Sequence, residues 1–240
     1  MSEARFRIKR FDPVSEAPAR YDTFVVPYEV SLTVLEGLFA IQERQDGSLS
    51  FRYCCRAAVC GSCAMYINGR YRLACQTNVS QLHGGDITVE PMPHLPLIKD
   101  LVCDMTDFFA KYEYIKPWLI RDEDHDPEGE IAQSPRARRK LDMPIDCILC
   151  GCCYSSCPSV WGEENYLGPA ALLKAYRFEV DSRDEAGRQR LPDFDNERGV
   201  YRCHTITNCV EACPKELNPT EGIQWLKGAA VRRRLFGRRK

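Results

Sequence analysis

Several short runs in the first hundred residues alternate apolar and polar positions, and one longer stretch repeats about every 3.6 residues. Residues 6–11 (FRIKRF) interleave apolar side chains with Arg and Lys. Residues 23–30 (TFVVPYEV) are rich in β-branched and aromatic side chains. Both are expected to form strands. Leu32, Leu35, Leu38, Phe39 and Ile41 follow the spacing of an amphipathic helix of about three turns, with Ser31 or Thr33 as N-cap. AMYI and YRLAC flank Asn68-Gly69, whose residues both tolerate positive φ, so a hairpin is expected there. Residues 86–92 (DITVEPM) supply one more strand.

After Pro96 the pattern changes. Residues 97–119 (LIKDLVCDMTDFFAKYEYIKPWL) space their apolar side chains as a helix does, interrupted by Pro117, which predicts a domain boundary near residue 100. Residues 121–140 set six acids ahead of a basic cluster, with two prolines, and predict an exposed loop. Residues 169–180 (PAALLKAYRFEV) predict a helix with Pro169 in its first turn after Gly168, and residues 222–236 predict another. No solenoid-type period is present, although two cysteine-rich runs in the second half echo each other. The expected class is α+β, with a strand-rich domain over residues 1–104 and a helical one over 105–240. A length of 240 residues suits two compact units.

Charge removes one class of function. Lys and Arg total 33 against 34 Asp and Glu, without the positive excess of a nucleic-acid binder. No apolar run approaches the ~20 residues that cross a bilayer, and the N-terminus lacks the apolar core of a secretory signal, so a soluble chain is expected. The 14 cysteines are the outlier. In a reducing compartment thiols stay free, which favours metal ligation over disulfides. Twelve of them fall into three groups, over residues 54–63, 147–157 and 203–213, leaving Cys75 and Cys103 alone.

Cys55-x4-Cys60-x2-Cys63, with Cys75 further on, has the spacing of a plant-type 2Fe-2S ligand set. Gly61 and Ser62 suit a loop that must wrap closely with its amides turned inward. A structural zinc site is the competing reading, although zinc knuckles use two Cys-x2-Cys pairs. The x4 spacing selects Cys55 over Cys54, which is left as a packed thiol. Arg56 has two readings, a cation that raises the potential of an adjacent cluster or a solvated surface residue.

Cys147-x2-Cys150-x2-Cys153-x3-Cys157-Pro158 has the frame of the two-cluster bacterial ferredoxins, in which the fourth cysteine serves the other cluster. Cys203-x2-Ile206-x2-Cys209-x3-Cys213-Pro214 repeats it with isoleucine at one corner. Exchange of fourth ligands gives Cys147, Cys150, Cys153 and Cys213 to a 4Fe-4S cluster. It leaves Cys157, Cys203 and Cys209 as a three-thiolate set, expected to hold 3Fe-4S. His204 is the alternative source of a fourth ligand. Cys152 and Cys103 are expected to be packed thiols. No nucleophile, base or substrate cradle is evident, so the expected task is transfer of single electrons.

These motifs, with SFRYCCRAAVCGSCAM, GPAALLKAYRFEVDSRD and YRCHTITNCVEACPKELNP, closely resemble the iron-sulfur subunits of succinate dehydrogenases and fumarate reductases, from about residue 6 to 228. The resemblance implies a β-grasp plant-type ferredoxin domain followed by an all-α bacterial-ferredoxin-like domain. It implies electron transfer from the FAD of a flavoprotein subunit, through the three clusters, to a membrane quinone. The implied partners are that flavoprotein and one or two transmembrane anchor subunits, with haem b in the anchor left open, and no nucleic acid. The implied location is the cytoplasmic face of a bacterial inner membrane. Carried over by motif, Pro158, Ser159, Trp161, His204 and Ile206 form the wall of the quinone site, with interface packing as the other reading of Trp161. Gly162, where many ubiquinone-using members have a second Trp, and Ala57-Ala58 in place of Glu-Gly favour menaquinone. The runner-up is a quinol:fumarate reductase, and a freestanding ferredoxin-like carrier is the reading from another class. The terminal VRRRLFGRRK, with six basic residues and no acid, suits anionic lipid headgroups or a solvated tail equally.

Overall fold

The computed structural model describes residues 2–15, 18–29, 31–82, 86–121 and 129–237. The chain divides into two compact units, Met1–Met105 with Ile148–Ser155, and Thr106–Cys147 with Ser156–Lys240.

The first unit is built on a five-stranded sheet ordered β2-β1-β5-β3-β4. Its strands are β1 (Ser2–Arg10), β2 (Arg20–Tyr28), β3 (Ala64–Ile67), β4 (Arg70–Leu73) and β5 (Ile87–Glu90). β1 runs antiparallel to β2 and parallel to β5, and β3 runs antiparallel to both β4 and β5. Along β1 the side chains of Ala4, Phe6, Ile8 and Arg10 point inward in alternation, as the period-two pattern requires. Asn68 and Gly69, at φ 47° and 74°, make the hairpin turn between β3 and β4.

Helix α1 (Val34–Arg44) lies on this sheet and buries Leu35, Leu38 and Ile41. Thr33 is the N-cap in a full capping box: its hydroxyl accepts from the Glu36 amide at 3.2 Å, and the Glu36 carboxylate accepts from the Thr33 amide at 2.7 Å. Gly37 permits the close approach, because a Cβ there would stand 2.2 Å from Phe6 Cζ.

The run after Pro96 departs from the expected helix. Leu97–Lys99 (β6) and Val102–Cys103 (β7) form a two-stranded ribbon around Asp100, which has φ 47°. Asp100 is buried, accepting from Arg10 Nε at 3.0 Å, the Phe11 amide at 3.1 Å and the Ser50 amide at 2.9 Å. Three donors from distant segments fix a tight turn there, and local apolar spacing is overridden. The helical part begins only at α2 (Thr106–Tyr114).

In the second unit the described residues form helices and no strand. They are α2, α3 (Pro135–Arg139), α4 (Asp142–Ile145), α6 (Pro158–Trp161), α7 (Gly168–Glu179), α8 (Gly187–Phe194), α9 (Asn208–Glu211) and α10 (Pro219–Phe236), while the short α5 (Cys152–Ser155) belongs to the first unit. Of the expected loop over 121–140, residues 122–128 lie outside the described residues, and residues 135–139 are the short α3, capped by Ser134. α7 and α10 pack around a core of Tyr166, Leu172, Ala175, Phe194, Ile223 and Leu226. Gly222 lets α10 approach the Tyr176 ring, to which a Cβ would come within 3.1 Å. α10 starts three residues before the expected position, because Asn218 caps it through Oδ1 to the Glu221 amide and Pro219 occupies the first turn. No helix among the described residues is long and apolar enough to cross a membrane.

Candidate iron-sulfur sites

The loop from Cys55 to Cys63 leads into the sheet. Cys63 directly precedes β3, and the Ala74 amide donates to the Cys63 carbonyl at 3.0 Å, which brings Cys75 beside it. The Leu35 amide in the first turn of α1 donates to the Ala74 carbonyl at 3.0 Å and holds that segment in place. Within the loop, Arg56, Ala58 and Gly61 have φ of 56°, 56° and 75°. This alternation turns successive amides inward, making a concave cradle for negative charge. Among the described residues, the amides of Ala57, Val59 and Cys60 donate to Cys55 Sγ at 3.4, 3.4 and 3.3 Å, and that of Ala58 donates to Cys75 Sγ at 3.3 Å. Cys54 points to solvent.

The loop's electrostatics match this geometry. Burial pushes the Cys60 thiol up, but the Ser62 hydroxyl and the amides of Cys55 and Ser62 outweigh it and bring the group down to about 6. Cys63 is pushed up to about 12, by burial first and then by the neighbouring Cys75 and Cys60. Burial of that kind keeps a lone thiol protonated, and cationic metal beside it would favour the thiolate. The donor set fits a 2Fe-2S group, with four thiols and amides aimed at their sulfurs. Among the described residues no group of three or more His, Cys, Asp or Glu converges on a single ion position. A polynuclear cluster spreads its ligands over several irons.

The two later runs share a backbone frame that their sequences do not reveal. Leu149 and Gly151 have φ of 54° and 82°, and Thr205 and Thr207, at the equivalent positions, have 59° and 69°. α5 starts at Cys152 and α9 starts at the matching Asn208. Ile206 therefore occupies the same place in its loop as Cys150 does in the other. Cys150 is held low first by the thiol of Cys152, which donates to it, and also by the Cys152 amide, against the opposing effect of burial. Cys152 is thus more than packing: it bonds a candidate ligand, a role that spacing alone does not signal. Cys103 is a packed thiol, buried with its Sγ 3.7 Å from the Met92 carbonyl. In the second unit Lys174, whose Nζ donates to the Pro144 carbonyl at 3.1 Å, faces Cys147, and Cys213 follows α9 half-buried.

Cys157, Cys203 and Cys209 line one small cavity, partly open to solvent. Cys157 stands at the N-terminus of α6, where the Ser159 and Val160 amides reach its sulfur while burial pushes the thiol up. Cys209 Sγ lies 3.3 Å from Thr220 Oγ1 and is also pushed up by burial. Lys227 Nζ donates to the Cys203 carbonyl at 2.6 Å, and Gln224 Nε2 to Thr205 Oγ1 at 2.6 Å, so α10 fastens the loop. Neither residue carries a motif in the sequence. Three thiols around one cavity fit a cluster with three protein ligands. Pro158, Ser159, His204 and Ile206 line the same cavity, whereas Trp161 is absent from its lining. Ile206 and Trp161 are 51% and 44% exposed.

A model of the 2Fe-2S iron-sulfur cluster binding domain matches residues 5–110, and one of the 4Fe-4S dicluster domain matches residues 144–217. The succinate dehydrogenase [ubiquinone] iron-sulfur subunit 1, mitochondrial, of Oryza sativa subsp. japonica is 47% identical over 229 residues, covering 92% of this chain and 80% of its own. The succinate dehydrogenase iron-sulfur subunit of Paracoccus denitrificans is 44% identical over 231 residues, covering 95% and 88%. Among solved structures, a chain of the Mycobacterium smegmatis Sdh1 complex in the apo form superposes with a TM-score of 0.86 at 26% identity, covering 97% of each chain.

Proposed function

The chain belongs to the succinate dehydrogenase iron-sulfur subunits, and from that premise we propose that its eleven motif cysteines hold three clusters that carry electrons from a flavoprotein's FAD to a membrane quinone. Cys55, Cys60, Cys63 and Cys75 hold 2Fe-2S, Cys147, Cys150, Cys153 and Cys213 hold 4Fe-4S, and Cys157, Cys203 and Cys209 hold 3Fe-4S. When bound, these groups supply one-electron redox chemistry. The chain's own residues direct amides at sulfur, exclude water from the thiolates and fasten the ligand loops.

The observation that carries the assignment of cluster types is the shared frame of the two runs. With φ positive at matching positions, Ile206 stands where Cys150 stands and offers no ligand. Pro158, Ser159, Trp161, His204 and Ile206 are the proposed wall of the quinone site, supported by the exposed apolar Ile206 and Trp161. The chain would lie on the cytoplasmic face of a bacterial inner membrane, held by one or two anchor subunits. Gly162 and Ala57-Ala58 favour menaquinone; the ubiquinone in the rice relative's name is the competing outcome. Ala57-Ala58 also keeps a quinol:fumarate reductase as the second reading. Turnover of the purified complex with each quinone, in both directions, decides between them.

Low-temperature EPR of the native membrane complex, oxidised and then reduced, tests the clusters. A 3Fe-4S signal is expected in the oxidised sample, and its absence would remove Cys157, Cys203 and Cys209 as a three-ligand set.

A further inference from the structure

Arg56 follows Cys55 with φ 56°, a left-handed conformation in which a side chain costs energy that glycine would not. What that side chain does is visible in the fold. Its guanidinium carbon lies 5.0 Å from the centroid of the Phe39 ring and 5.7 Å from that of Tyr53. Phe39, on α1, meets Phe51 and Tyr53 with centroids 5.5 and 4.6 Å apart, both edge-on, and Phe51 stands 5.8 Å from Tyr53. Three rings from the helix and from the segment entering the loop therefore form a seat, and Arg56 lies on it. The residues that follow, Ala57 to Cys60, are those whose amides donate to Cys55 and Cys75. Arg56 thus stands at the start of the amide-bearing segment, where a contact of its side chain bears on the backbone from which those amides project.

We infer that Arg56 is a positioning residue of the 2Fe-2S site, laid on Phe39 and Tyr53 so that stacking, rather than net charge, holds the 57–60 amides on the ligand sulfurs. This rests on the 2Fe-2S reading proposed above. Amide donors favour the more negative, reduced state of a cluster and so raise its potential. Guanidinium stacks flat on a ring, and the ammonium of lysine does not.

The test uses the assembled membrane complex with Arg56→Lys, Arg56→Gln or Phe39→Leu, an EPR-monitored redox titration of the 2Fe-2S signal, and hydrogen exchange of residues 57–60. Arg56→Lys and Phe39→Leu are each expected to lower the midpoint potential and to speed exchange about two- to fivefold, the range a stacked cation at an exposed site supports. Arg56→Lys with unchanged potential and exchange, beside a lowered potential in Arg56→Gln, overturns the inference in favour of charge. Wild-type values in all three variants overturn it as well. Arg56→Lys lies on a surface loop and keeps the test decisive should Phe39→Leu not assemble. A missing 2Fe-2S signal in the unsubstituted complex is a separable result that overturns the cluster reading, and the inference with it.

Discussion

Gly61 faces Cys150 so closely that a Cβ on the glycine would stand 2.9 Å from both the Cα and the Cβ of Cys150. The Ile148 carbonyl oxygen is equally near, at 2.9 Å, and Gly61 has φ +75°. Gly61→Ala carries a backbone penalty of ~1–2 kcal/mol before any clash is relieved. The clash is with backbone, which cannot swing aside. Gly61→Ala is therefore expected to alter the EPR spectra of both the 2Fe-2S and the 4Fe-4S centres. A change confined to the first would show that the Cys55–Cys63 loop yields and Cys150 does not.

The Cys54-Cys55 doublet separates cleanly. Cys55 accepts the loop's amides, while Cys54 is exposed. Cys55→Ser is expected to abolish or strongly reshape the 2Fe-2S signal, and Cys54→Ser to leave it intact. The reverse pattern in EPR would reassign the ligand.

At the degenerate corner, Ile206→Cys supplies the missing thiolate in a loop whose backbone already matches that of Cys150. The third centre is expected to shift from 3Fe-4S to 4Fe-4S, with loss of the oxidised-state signal and a lower potential. An unchanged 3Fe-4S spectrum would show that the two runs are not in the same frame.

Asp100 and Arg10 are both buried, and the carboxylate also accepts from two backbone amides. Asp100→Ala strands the guanidinium and the amides together. Removing one partner of a buried pair costs about 3–5 kcal/mol, so the first unit is expected to unfold at markedly lower temperature or denaturant concentration. Part of that cost is softened because Arg10 also reaches Asp22 and Asp46.

Glu179, near the end of α7, is pushed up to about 8 by burial and by Asp184, against the pull of Arg190 and Arg233. The unfolded chain loses this proton near the ordinary 4.5, and the folded chain keeps it until about 8. Stability therefore falls as pH rises from about 4.5 to 8 and then levels off. With a discount for the solvent that still reaches the group, ~1 kcal/mol is at stake, or ~2–4 °C in Tm. Glu179→Gln is expected to flatten this segment of the Tm–pH curve.

The cysteine spacing behind the proposed ligand sets is legible because it is covalent: a cysteine at a fixed offset is visible without any knowledge of packing. The helices at α1 and α7 were legible because apolar period and capping residues agree. Residues 97–105 were misread for the opposite reason. Leu97 and Leu101 have helical spacing, but Asp100 answers to Arg10, Phe11 and Ser50, far away in the chain. A local window cannot contain those donors. Cys152 is buried as a packed thiol should be, but its bond to Cys150, like that of Lys227 to the Cys203 carbonyl, is a contact that no motif signals. The equivalence of Thr205 with Leu149 is a property of φ, which residue identity alone conceals for three non-glycine positions of four.

Among the described residues, Cys55 accepts from three amides and Cys75 from one, while Cys60 accepts from the amides of Cys55 and Ser62 and from the Ser62 hydroxyl. The loop's dipoles therefore gather on the Cys55 and Cys60 side, so a binuclear group bound there would meet unequal fields at its two ends, an asymmetry written into the polypeptide before any partner docks.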